Sequence, residues 1–278
     1  MNSDAEEDPR LPESIGKAAA QGDFERVKAW LAAGSASDPR SINAGDDSTS
    51  WTLLHWTMNG DQTPGHLEFA RYLLSRGARV DAKTYQGSTA LHFACQGAGE
   101  TTAAMVSMLV AAGAAVNVET HGGPWQRVRT PLFSIVELSA STIDVVTVLL
   151  RAGASLDFKH RIGEDQPVPR SFEAHLDGLE DGLEDGLDDD ELEHVGPIRN
   201  LVASVRAAGS WKAHCRLPHK QILRLRSLVA RGRVKLPRAR RRSPRGRDTR
   251  QERALEFLVR QGDNGIVWNI LSFWRATY

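Results

Sequence analysis

Cysteine is scarce: Cys95 and Cys215 are the two in the 278-residue chain. Two cysteines build no disulfide framework, and such sparing use fits a reducing, intracellular compartment. Residues 1–13 are acidic and polar, without the apolar core of a secretory leader. No apolar run reaches the length needed to span a bilayer, so no membrane association is expected. A Gly-rich phosphate loop, a G-x-S-x-G elbow and an H-E-x-x-H pair are all missing, so no catalytic residues are expected and the chain does not read as an enzyme. Cys215 with His214 and His219 lacks the paired C-x2-C and H-x3-H spacing of structural zinc. The formal net charge is +0, which excludes a chain uniformly built for a polyanion or a polycation.

What is present is a repeated helical pattern. In residues 89–117 Thr89 is placed to cap a helix start, and Leu91, Phe93 and Ala94 follow as a short apolar face. A small-residue turn around Gly97 and Gly99 interrupts it. A second helix carries Met105, Val106, Leu109 and Val110 at helical spacing, and Gly113 supplies the left-handed residue that closes it. The pattern recurs from Thr52 to a closure at Gly77. It recurs again from Thr130 to Gly153, with Pro131 at the first helical position, where its missing N–H costs nothing. A first, looser unit spans 13–43. It has a stripe of Phe24, Val27, Trp30 and Leu31 and a closure at Gly34. Self-similarity at this period means stacked helical units, each burying its apolar face on its neighbours.

The openings at 52–57, 89–94 and 130–135 and the endings at 73–81, 109–117 and 149–157 resemble the ankyrin repeat. The first unit lacks the opening but keeps the AAQGD turn at 19–23. Departures from the family pattern are Leu53 and Ala90 for its proline, and Phe133 for its histidine. The Thr-to-Thr spacings of 37 and 41 exceed the usual figure of about 33. Extra residues lie at Asp61 to Pro64 and near Gly122 to Val128. The resemblance implies an all-α ankyrin-repeat solenoid of about four to five helix-turn-helix repeats. In it Thr52, His55, Gly77, Thr89, His92, Gly113, Thr130, Pro131 and Gly153 are structural, and the histidines hydrogen-bond within and between repeats. It also implies that partners meet the loop, or finger, before each Thr and the face of the first helices. The finger residues are Trp51, then Lys83, Tyr85 and Gln86, then Trp125, Arg127 and Arg129. Aromatics and arginine dominate interface energetics. Trp51 and Trp125 have an alternative, folding back on their own helices.

Residues 1–12 are expected to be disordered, 13–160 to hold the repeats, and 161–195 to form an acidic low-complexity insertion. Within that insertion 161–171, with Pro167 and Pro169, reads as a loop. Residues 176–193 repeat DGLE, carry no Lys or Arg, and their glycines and mutual repulsion oppose a helix. They also lack the spacing of a calcium loop. Residues 196–232 read as a degenerate fifth repeat and a capping helix. Ile198, Leu201, Val202 and Val205 give the repeat's stripe, and 219–232 read as a cap or a calmodulin-type target helix. Residues 233–250 are arginine-rich with one acid, Asp248. They suit an import signal, an electrostatic contact including nucleic acid, or a linker, and they lack aromatics for base stacking. Residues 251–278 form a helical C-terminal segment. With the helix at 220–233 it is similar to tails of uncharacterised ankyrin proteins of algae and other unicellular eukaryotes. Ser210, Trp211 and Cys215 resemble the start of a SOCS box, and the final VWNILSFW resembles the first helix of an F-box.

The expectation is a monomeric, non-catalytic protein-binding scaffold of the cytoplasm or nucleus, without metal or cofactor and with an unidentified protein partner. The alternative is a substrate adaptor of a ubiquitin ligase, docked through the C-terminal segment.

Overall fold

A computed structural model describes residues 10–33, 42–97, 99–121, 129–135, 142–160, 168–181, 189–217 and 220. It divides into two compact parts, Met1–Ala203 and Ser204–Tyr278.

In the first part helices come in pairs. Helices α1 (Glu13–Ala20) and α2 (Phe24–Ala33) form the first pair, α3 (Leu53–Met58) and α4 (Pro64–Ser75) the second, and α5 (Ala90–Ala94) and α6 (Thr102–Ala111) the third. The short helices α1, α3 and α5 pack on one another in sequence, so one pair covers the next. Each second helix buries the side chains that helical spacing singles out. Examples are Met105, Val106 and Leu109 in α6, and Val145, Val146, Leu149 and Leu150 in α7 (Thr142–Arg151). Full burial of each such side chain contributes about 1.5–3 kcal/mol.

Two local devices fix the period. Gly77, Gly113 and Gly153 have φ of 92°, 93° and 95°, a region that side chains with a Cβ rarely enter. There the next residue's N–H reaches back to the helix: Ala78 to the Leu73 carbonyl, Ala114 to Leu109 and Ala154 to Leu149, at 3.0, 3.0 and 2.9 Å. One repeat also grips the closure of the next. Asn43 Nδ2 donates to the Gly77 carbonyl and Asn117 Nδ2 to the Gly153 carbonyl, while Asp81 accepts the Ala115 N–H.

The fourth repeat departs from expectation. Its opening is a single 3-10 turn, Leu132–Ser134, rather than an α-helix. Phe133 has no ring nitrogen to accept the Thr130 N–H, so the cap that opens the second and third repeats cannot form. The reading of 161–171 as a loop is corrected too. Strands β1 (Asp157–His160) and β2 (Val168–Ser171) pair antiparallel, Asp157 opposite Ser171 and His160 opposite Val168. The helical fold therefore carries one two-stranded ribbon. Both strands of a ribbon have an outer edge, where the N–H that Pro169 lacks costs no ladder bond.

Disorder of the acidic insertion is also corrected. Its described ends are helical: α8 (Phe172–Asp181) and α9 (Asp189–Ala208). Phe172 and Leu176 are fully buried, and Phe172 packs edge-on to Phe133 at 5.6 Å. That burial outweighs the poor helix propensity of the glycines. Arg199 on α9 pairs with Asp177 on α8 at 2.6 Å. The fifth repeat thus has a first helix of its own. Order also begins before residue 13, because Leu11 is buried and donates its N–H to the Gly45 carbonyl.

The second part contains the end of α9. Gly209, at φ 80°, turns the chain, and Ser210 Oγ accepts the Ala213 N–H to open a helical stretch at 211–217. Ser204 Oγ lies 2.9 Å from His214 Nδ1. Gly34, Trp125, Arg127, nearly all of the helix at 219–232, the basic run 233–250 and the segment 251–278 lie outside the described residues. Among the described residues no helix is long and apolar enough to cross a membrane, and no group of His, Cys, Asp and Glu is arranged to hold a metal.

Candidate binding face at the finger loops

The finger before the second repeat is organised by one carboxylate. Asp46 Oδ1 accepts the N–H groups of Ser48 and Thr49 and the Ser48 hydroxyl, and Oδ2 accepts the Thr49 hydroxyl and the Trp51 N–H. Burial opposes ionisation of this acid, yet the hydrogen bonds from Thr49 and Ser48 prevail and hold its pKa below the ordinary value.

The next finger is a tight turn. The Thr84 N–H donates to the Ser88 carbonyl and the Gly87 N–H to Thr84. Gly87 has φ 76°, and a Cβ there would sit 3.0 Å from His121. The fingers are tied side by side through their backbones. Tyr85 N–H donates to the Thr49 carbonyl at 3.0 Å, and His121 N–H to the Gln86 carbonyl at 2.6 Å. The last finger is closed at its base by Thr120 N–H to the Arg129 carbonyl, 2.9 Å.

Buried histidines bolt the fingers to the helices. Thr52 N–H donates to His55 Nδ1 at 3.0 Å, which leaves the proton on Nε2, and Nε2 donates to the Ala82 carbonyl at 3.0 Å. His92 repeats this: Thr89 N–H reaches Nδ1 at 3.1 Å, and Nε2 is shared between the carbonyls of Val118 and Arg129 at 3.1 and 3.3 Å. Each ring therefore joins its own repeat to the following finger. Burial holds both rings neutral, with pKa values lowered to about 4 against the upward pull of those carbonyls. Cys95 is fully buried, and desolvation raises its thiol pKa well above the ordinary value. It is a core side chain.

The finger residues singled out in the sequence are placed differently from one another. Lys83, Tyr85 and Gln86 are exposed together at one tip, Tyr85 at 66%. Arg129 is half-buried at the base of the next finger. Trp51 is half-buried and folds back: its ring centroid lies 4.8 Å from that of Trp56 and 4.5 Å from that of Phe93. Trp56 and Phe93 were not among the expected site residues. Both directly follow the histidine of an opening motif, and that position could have identified them. Also unanticipated was Thr63-Pro64-Gly65-His66, a second motif of the same kind. There Thr63 Oγ1 meets His66 Nδ1 at 2.8 Å, and His66 Nε2 donates to the Ala20 carbonyl at 3.0 Å. Gln62 is a third unanticipated residue. Buried among the extra residues at 61–64, it donates to the carbonyls of Met58 and Ala94 and accepts the Thr102 hydroxyl.

Comparison with known proteins agrees with this geometry. A family model described as ankyrin repeats matches residues 15–120, with three copies. That span covers the first three repeats and stops before the fourth, whose opening has lost its histidine. The integrin-linked protein kinase homolog pat-4 of Caenorhabditis elegans is 37% identical over 71 residues, which are 26% of this chain and 13% of that protein. Ankyrin repeats generally mediate protein–protein interaction, and the stack described above is an ankyrin-repeat solenoid.

Proposed function

We propose that this chain is a non-catalytic protein-binding scaffold whose partner docks on the finger row and the adjoining faces of α3 and α5. The observation that carries this is an exposed tip on a fixed stem. Lys83, Tyr85 and Gln86 face solvent, while the backbone beneath them is bonded to both neighbouring fingers and to His55. A large aromatic held in this way loses little conformational freedom on binding. Tyr, Trp and Arg, all represented here, are the types that anchor interfaces.

The test is a comparison of proteins retained from a cell extract by the full chain and by a Lys83→Ala, Tyr85→Ala, Gln86→Ala variant. All three side chains are exposed, so the variant should fold with unchanged helicity by circular dichroism. Loss of a retained partner supports the reading. An unchanged set of partners places the docking face elsewhere.

A second reading, a ubiquitin-ligase adaptor docked through the second compact part, is supported by the exposure of Cys215 and the partial exposure of Trp211 in the helical stretch opened by Ser210. Its test is Trp211→Ala with Cys215→Ala. Selective loss of ligase components would favour it, and their absence from the wild-type set would dismiss it.

A further inference from the structure

Resting on the reading of the finger row as a docking face, we propose that its partner is an extended acidic peptide segment with an apolar anchor. The anchor lies on the Trp51–Trp56 surface, and two carboxylates about three residues apart meet Lys83 and Arg129.

The argument starts from the two histidine bolts. His55 binds the carbonyl of Ala82, and the residues next in sequence to this pair are Trp56 and Lys83. His92 binds the carbonyl of Arg129 itself, and the residue after His92 is Phe93. Each bolt therefore sets an aromatic beside a cation, and the arrangement recurs from one repeat to the next. Phe93 is nearly covered and backs the Trp51 ring, so the aromatic surface left to a partner is that of Trp51 and Trp56. Packed helices lie about 8–10 Å apart, and an extended chain rises about 3.3 Å per residue, which gives the three-residue interval.

Charge selects the sign of the partner. The acids of the fingers are largely engaged within the chain: Asp46 accepts the bonds of its own loop, Asp47 pairs with Arg10 at 2.6 Å, and Asp81 accepts the Ala115 N–H. Glu119 is the exposed carboxylate that remains. Lys83 and Arg129 have no carboxylate within ion-pair distance among the described residues. Their donors are available to a ligand.

The test uses fluorescence anisotropy on the full chain with three labelled peptides of about a dozen residues. The first carries a leucine and two glutamates three residues apart. The second has lysines in place of the glutamates, and the third has alanine in place of the leucine. The first should bind about tenfold tighter than either of the others, and its affinity should fall as salt rises. Lys83→Glu and, separately, Arg129→Glu should weaken it about tenfold, while Arg151→Glu, on the exposed end of α7, leaves it unchanged. Lys83→Ala serves if a reversal disturbs folding, with a smaller loss in the same direction. Equal or tighter binding of the lysine peptide overturns the proposal, as does failure of all three peptides to bind. Neither result touches the docking face itself, which the Tyr85 variant judges independently.

Discussion

The second and third repeats and the joint between the fourth and fifth solve one problem in opposite directions. In the former, a histidine in the opening motif reaches forward to the carbonyls of the next finger. In the latter, Phe133 stands where that histidine would be. His175 reaches back from α8 to the Ile135 carbonyl at 2.9 Å, and Phe172 covers the Phe133 ring. Joining one repeat to the next therefore requires a satisfied carbonyl and a filled core at each interface, and either neighbour can supply them. Only the forward arrangement also holds a finger, and the exposed tip with Tyr85 sits on that side of the stack.

Acid should break the comparison most strongly. The unfolded chain binds a proton at each histidine near the model value of 6.5, and the folded rings of His55 and His92 take one only at about 4. Their contribution is thus fully present above pH 6.5. As pH falls toward 4 it is lost, at about 1.4 kcal/mol per pH unit for each ring. Asp46 loses its share in a lower window, below its ordinary value of 3.8. Urea denaturation across this range should show the decline, and His92→Phe should roughly halve its slope between pH 6.5 and 4.

Phe133→Ala removes a fully buried ring from the other joint and should cost about 3–5 kcal/mol in the same assay. His92→Phe, which copies the fourth opening into the third, leaves the Thr89 N–H without its acceptor. It should cost about 1–3 kcal/mol at neutral pH. His175→Ala strips the Ile135 carbonyl of its donor and should fall in the same range. The smallest effect belongs to Arg199→Ala. Its pair with Asp177 is partly exposed, and its loss should cost less than about 1 kcal/mol.

Most of the stack was legible in the residues themselves. Thr52 with His55, Thr89 with His92, and the glycines at 77, 113 and 153 are local devices, each read within a few residues. What escaped depends on distant partners. His175 takes meaning only from a carbonyl 40 residues away. The acidic helix α8 exists because Phe172 and Leu176 are buried, which repetitive DGLE composition conceals. The orientation of Trp51 depends on Phe93, in another repeat, so its two alternatives were indistinguishable before the helices were assembled. The tip Lys83-Tyr85-Gln86 was legible as a candidate because a finger before a Thr cap has few neighbours to bury it.

The most direct test of the account replaces Tyr85 with a photo-crosslinking phenylalanine derivative in the full chain, expressed in cells, with the same replacement at exposed Lys212 as control. The account predicts a discrete covalent adduct with a protein partner at position 85 and none of that mass at 212. No adduct at 85, or the same adduct at both positions, would contradict the claim that the finger row is the binding face.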